Sequence, residues 1–259
     1  MTSYLNGFGD VRLMYRLVLA VDVENYTAKP SREQLRVQTA LRAVLHEAAQ
    51  DVGLDQRDWY EQVSGDGELI VLPEDVDVPV VVGDFTRRIE VALGEFNRYR
   101  DGNARLRLRM AMHHGTLTPG PFGPAGDAPI CVSRLLGATP LRRLLAEQQD
   151  RDLALIVSQS LYQDVIRTGF CSLDPVDFRP VRVNAKGVQY YGFVQTRDIW
   201  ESSSLGASAV LRIRSMADSA SVAAAMKRAK VNDADNEQDR DLKGTADDGR
   251  RFNNWFVSA

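Results

Sequence analysis

The 259-residue chain has little cysteine, little histidine and no long apolar run. Its two cysteines, Cys131 and Cys171, stand in apolar contexts with no CxxC spacing and no histidine at ligand spacing. That excludes a disulfide scaffold and argues against a cysteine metal centre, and both read as buried thiols. No apolar stretch approaches the ~18 residues of a membrane span, and Met1 to Arg12 lacks the basic-then-apolar pattern of a secretory leader. The expectation is a cytoplasmic protein with no membrane partner, in which the Asn25-Tyr26-Thr27 sequon is silent. One-sided charge is missing too, since 32 Lys and Arg against 35 Asp and Glu give a net charge of −3 with no block of five like charges. A polyanion partner needs a clustered cationic face, so nucleic acid is not expected. The early Gly7-Phe8-Gly9 has neither a strand before it nor a helix after it, which rules out a dinucleotide loop.

What is present is a mixed α+β pattern. Residues 15–23 form an apolar, β-branched run that reads as a strand buried on both faces and ending in an acid, Asp22. Leu35, Val37, Ala40, Leu41, Val44 and Leu45 recur at helical spacing over 31–52. Two short strands, 59–63 and 68–72, flank Ser64-Gly65-Asp66-Gly67, a tight-hairpin signal that carries a second acid. A helix over 79–100 and a strand over 106–113 follow, then a Gly- and Pro-rich segment, 116–126, that reads as a loop or bent hairpin. The spacing predicts one helix over 128–147, kinked or broken at Pro140, then a strand at 153–157, a helix at 158–168 and strands near 180–184 and 188–195. The order β, α, β, β, α, β predicts a ferredoxin-like core with additional C-terminal strands and helix. Residues 1–200 are read as this domain and 201–259, poor in large apolar residues, as a largely disordered tail. The tail ends in Phe252, Trp255 and Phe256 at i, i+3 and i+4, a stripe that could seat in the groove of a protein partner or pack on its own domain.

Asp22 and Asp66 carry the chemistry. In a split βαβ core the two strand ends face each other, and two carboxylates there repel unless a cation lies between them. Carboxylates plus phosphate oxygens are a usual Mg²⁺ environment, so the functional reading is a two-metal phosphoryl or nucleotidyl transfer site. The plainer reading is two ordinary turn aspartates. His113 and His114 are adjacent on a strand and point to opposite faces, so a packing or hydrogen-bonding role is expected rather than a shared metal.

The neighbourhood resembles the class III nucleotidyl cyclase family. Asp22-Val23-Glu24-Asn25-Tyr26-Thr27 is similar to the family's Asp-Ile-x-Gly-Phe-Thr/Ser, with Asn25 at the Gly position. Gly65-Asp66-Gly67 followed by Glu68-Leu69-Ile70-Val71 resembles its Gly-Asp-Gly hairpin, and Met110-Ala111-Met112-His113-His114-Gly115 its Gly-Ile-His-x-Gly strand. The segment Gly126-Asp127 through Arg134-Leu135 resembles the later Gly-Asp-x-Val-Asn-x-Ala-x-Arg-Leu signature, and Ala185-Lys186-Gly187 the closing Lys-Gly hairpin. The motifs stand in family order across residues 15–196, about three quarters of the chain.

The resemblance implies a cyclase fold, a nucleoside triphosphate substrate, a cyclic nucleotide product used in signalling, and two divalent cations, Mg²⁺ or Mn²⁺. It assigns Asp22, Asp66 and the carbonyl of Val23 to the metals and Arg134 to the charge that develops on the triphosphate, with Lys186 as a candidate phosphate contact or a plain turn lysine. In this family one site draws on two protomers, so a head-to-tail homodimer is implied. Two positions depart from the pattern. Gln62 stands where a base-reading Lys or Glu is usual, and a neutral amide that both donates and accepts does not choose a base. Ile130 replaces the ribose-orienting Asn, a loss worth on the order of 10²–10³ in rate if nothing substitutes. The competing reading is therefore a cyclase-homology module that binds a nucleotide or a partner without turnover. A polymerase palm shares the strand-end acids, but it would need a basic groove for a template, which the net charge of −3 and the scattered Lys and Arg do not suggest.

Overall fold

The computed structural model describes residues 12–197, and the readings made for 198–259 lie outside them. Strand β1 (Met14–Val23) leads through a 3₁₀ turn into α1 (Ser31–Asp51). The hairpin of β2 (Tyr60–Val63) and β3 (Gly67–Val71) follows. One turn, α2 (Val78–Val80), runs through a π-helical segment at Val81–Phe85 into α3 (Thr86–Asn97). Then come β4 (Leu108–Leu117), α4 (Asp127–Leu136), α5 (Thr139–Glu147) and β5 (Leu153–Ser158). The short α6 (Gln159–Leu161) continues as a π-helical turn to Ile166, and β6 (Phe178–Ala185) and β7 (Val188–Gln195) close the sheet.

The strands form one sheet in the order β2-β3-β1-β4-β5-β7-β6. Its first four strands, all antiparallel, have the ferredoxin-like order expected from the sequence. β5 joins β4 in parallel, and such a pairing needs a long crossover, which α4 and α5 supply. Alternation along β1 fills two cores. Leu17, Leu19 and Val21 face α1 and α3, packing with Leu41, Leu45, Ile89 and Leu93. Val18 and Ala20 face the other way, into a cluster with Val132, Leu135, Leu141 and Leu145 of α4 and α5.

Two boundaries differ from the sequence reading. Residues 128–147 are two helices broken at Gly137-Ala138, and Pro140 lies in the first turn of α5, where its missing N–H has no helical acceptor to lose. β4 runs on to Leu117 because the beginning of β1 supplies its partner, Met14 opposite Leu117. The Gly- and Pro-rich segment is a bent hairpin closed by a bridge between Thr118 and Ala125.

Candidate active site

The site is assembled at the C-terminal end of β1. The β2–β3 hairpin lies hard against this strand: a Cβ on Gly67 would stand 1.9 Å from the carbonyl oxygen of Val21. Only glycine permits that approach. It allows the N–H of Val23 to donate to the carbonyl of Asp66 at 2.7 Å, which ties the hairpin tip to the strand end. The Ser64 hydroxyl donates to the Gly67 carbonyl at 2.8 Å and reaches Oδ1 of Asp66 at 3.3 Å. From α1, Nε2 of Gln38 reaches both the carbonyl of Gly65 and the hydroxyl of Tyr26 at 2.7 Å. One side chain thus braces the hairpin and the turn after β1. In that turn Asn25 takes φ 53°, ψ 28°, the left-handed region, which explains how it serves at a position where the resemblance has glycine.

Asp22 and Asp66 are brought close enough that the charge of Asp66 opposes ionisation of Asp22. Burial pushes the Asp22 carboxyl above its ordinary value, and Arg109 works against that. Arg109 lies directly opposite Asp22 on β4. Its Nε donates to Oδ1 and its Nη2 to Oδ2, both at 2.7 Å, and each side chain is only 16% exposed. Sequence reasoning missed this residue. The signal was the alternation Arg105-Leu106-Arg107-Leu108-Arg109, which sends three guanidiniums to one side of the chain. Each meets a carboxylate: Arg105 with Asp152 at 2.6 Å, Arg107 with Glu24 at 2.7 Å, and Arg109 with Asp22.

Beside the acids is an open cleft of about 460 Å³ lined by Val23, Glu24, Asn25, Tyr26, Thr27 and Asp66, with Arg107, Arg109 and Arg142 on its other wall. The other predicted residues lie elsewhere. Arg134 is half-buried on α4, Ile130 is 48% exposed on the same helix, and neither lines the cleft. Lys186 is exposed at the tip of the β6–β7 hairpin, where it and Gly187 both have positive φ, as a two-residue turn requires. Gln62 on β2 donates from Nε2 to the Phe122 carbonyl at 3.4 Å, which joins it to the Gly- and Pro-rich hairpin.

His113 and His114 have the packing roles expected. Nδ1 of His113 is 2.8 Å from the Ser158 hydroxyl, and His114 stacks obliquely on Tyr15 at 4.4 Å between ring centres. Burial lowers both pKa values. Cys131 and Cys171 are free thiols pushed up by burial, Cys131 to about 11, and so are poor nucleophiles.

Mg²⁺ and Mn²⁺ take hard oxygen donors. Asp22, Asp66 and the backbone carbonyl of Val23 are of that kind and lie at one strand end, so the donor chemistry fits. Among the described residues no cluster of three or more His, Cys, Asp or Glu side chains has metal-binding geometry. Among the described residues Asp22 and Asp66 are the side chains that would meet a cation here, and phosphate or water oxygens would complete its coordination shell.

No family model matches the sequence, and no curated protein matches it either. Solved structures do. The adenylate/guanylate cyclase/hydrolase from Silicibacter pomeroyi superposes with a TM-score of 0.54 at 16% identity, covering 72% of this chain and 99% of that one. The guanylyl cyclase Cya2 gives 0.51 at 14% identity over 71% of this chain and 92% of its own. The adenylyl cyclase CyaB from P. aeruginosa gives 0.50 at 16% identity, over 73% and 97%. At these identities the likeness concerns the fold, and residues 12–197 have the fold of an adenylate/guanylate cyclase catalytic domain.

Proposed function

We propose that this chain is a metal-dependent nucleotidyl cyclase, converting a nucleoside triphosphate to a 3′,5′-cyclic nucleotide and pyrophosphate. The observation that carries the reading is the meeting of Asp22 and Asp66 at one end of β1, held there by the Val23–Asp66 backbone bond and the close approach of Gly67. Two like charges fixed side by side repel; Arg109 offsets that of Asp22 in this chain, and a divalent cation between the acids would offset both. Two divalent cations, Mg²⁺ or Mn²⁺, held by Asp22, Asp66 and the Val23 carbonyl, would neutralise triphosphate charge and acidify the 3′-hydroxyl. The arginine wall of the cleft, with Arg109 and Arg142, would hold phosphate oxygens so that the hydroxyl faces the α-phosphorus and pyrophosphate leaves on the far side.

Arg134 and Lys186 do not line the cleft of their own copy, which supports a head-to-tail homodimer in which a second copy supplies them. Arg134 would then face the charge that develops in the transition state, with Lys186 near the phosphates and Gln62 and Ile130 at the base and ribose. A second reading, nucleotide binding without turnover, is favoured by one observation: an exposed Ile130 offers no hydrogen bond to a ribose. The test is incubation of the purified chain with ATP, GTP, CTP and UTP and either metal, with products read by mass spectrometry beside Asp66→Ala. A cyclic product that vanishes in the variant is expected. Silence with all four, from folded and dimeric protein, would transfer the assignment to the second reading.

A further inference from the structure

We infer that Arg109 is the resident counter-cation of Asp22 and competes with a divalent cation for it, so that the guanidinium is a positioning group that sets how weakly the acid takes metal. The inference rests on the proposed function in one respect, that Asp22 is a metal ligand. Its basis is the fork of Arg109 on both Asp22 oxygens at 2.7 Å, between two side chains that are largely removed from water. A guanidinium bonded to both oxygens leaves only the outer lone pairs. A divalent cation on those would face a full positive charge across a single carboxyl group, in a region where water screens little.

The two neighbouring arginines do not share this freedom. Arg107 is held by Glu24 and by the backbone carbonyls of Arg151, Leu145 and Gln148, so its position is fixed by the fold. Arg105 is tied to Asp152 and to the carbonyls of Gln149 and Asp150. Arg109 hydrogen-bonds, among the described residues, with Asp22 alone. It also lines the cleft, so a guanidinium released from Asp22 has an anion site to turn towards. The cross-strand register of Asp22 and Arg109 pins both backbones, and the exchange therefore needs only side-chain rotation.

The experiment is a Mn²⁺ titration of the full chain at pH 8 without nucleotide, read by loss of the free-ion EPR signal, for wild type, Arg109→Gln, Arg109→Lys and Asp22→Asn. Arg109→Gln is expected to bind Mn²⁺ about tenfold or more tightly than wild type. Arg109→Lys, which keeps the charge but not the fork, should fall between them, and Asp22→Asn should be weakest. Equal or weaker binding by Arg109→Gln, with Asp22→Asn still impaired, overturns the competition and leaves the metal reading standing. No binding by wild type or by Arg109→Gln overturns both. A measurement on the wild-type chain guards against misfolded variants. Under saturating Mg²⁺ the Arg109 Nε–H resonance in a ¹⁵N spectrum should move as its acceptor is lost, and a resonance that stays put at saturation refutes the exchange.

Discussion

Replacing Gly67 with alanine tests the geometry on which the candidate site depends. The new methyl would sit 1.9 Å from the Val21 carbonyl oxygen, 2.8 Å from Cα of Asp22 and 2.9 Å from the Val21 carbonyl carbon. All three are backbone atoms of a central strand and cannot rotate away. Reaching the 3.4 Å at which ordinary contact begins would move the hairpin back by about 1.5 Å, which stretches the 2.7 Å bond from Val23 to Asp66 beyond hydrogen-bonding range. Losing that bond and the adjoining rung of the β1–β3 ladder costs about 1–3 kcal/mol each, so the expected destabilisation is roughly 4 kcal/mol, or roughly 8–16 °C in Tm. Gly65→Ala is the internal control, because its methyl would meet only a Tyr26 ring carbon at 4.0 Å. Urea denaturation of the two variants should separate them by several kcal/mol. Equal stability of Gly67→Ala and Gly65→Ala would refute the close-approach argument.

The remaining predictions concern the same end of the sheet. Burial, with the nearby charge of Glu61, raises the Glu68 carboxyl from 4.5 to about 7 against the opposing effect of Arg42. The folded state then holds a proton that the unfolded chain has released, so wild-type stability should fall by about 1–2 kcal/mol as pH rises from 4.5 through 7, and Glu68→Gln should flatten that slope in denaturation series at pH 5 and 8. At Asn25, glycine should be tolerated within about 0.5 kcal/mol whereas valine should cost roughly 1–2 kcal/mol, because a β-branched side chain opposes the left-handed backbone; thermal melts decide it. Arg134→Ala and Asp66→Ala, each inactive alone, should regain part of the activity when mixed, and no recovery in a mixture that exchanges subunits would remove the shared site.

Local chemistry was readable where a residue's own conformation dictated it. The apolar run of 15–23 announced a strand buried on both faces, and Gly65-Asp66-Gly67 announced the hairpin, because alternation and turn preferences act over a few residues. The extent of β4 was not readable, since its last rungs are set by Met14 and Tyr15, about a hundred residues earlier in the chain. Pro140 was misplaced for a related reason: proline is disruptive inside a helix and well suited to its first turn, and only the break at Gly137-Ala138 decides between them. Both acids were legible from their motifs. Arg109 was not, because its importance lies in which residue stands opposite on the neighbouring strand, and pairing register is a property of the folded sheet.

The position of β1 has a consequence for synthesis. It is an apolar strand that precedes the others in the chain, yet its partner residues on β4 lie 85 to 103 positions downstream, from Val23 opposite Leu108 to Met14 opposite Leu117. At ribosomal rates of roughly 5–20 residues per second, that interval is on the order of 10 s. Throughout it an apolar segment with an unpaired edge is held near other nascent chains, so a strand that the folded sheet buries on both faces waits with one edge open during translation.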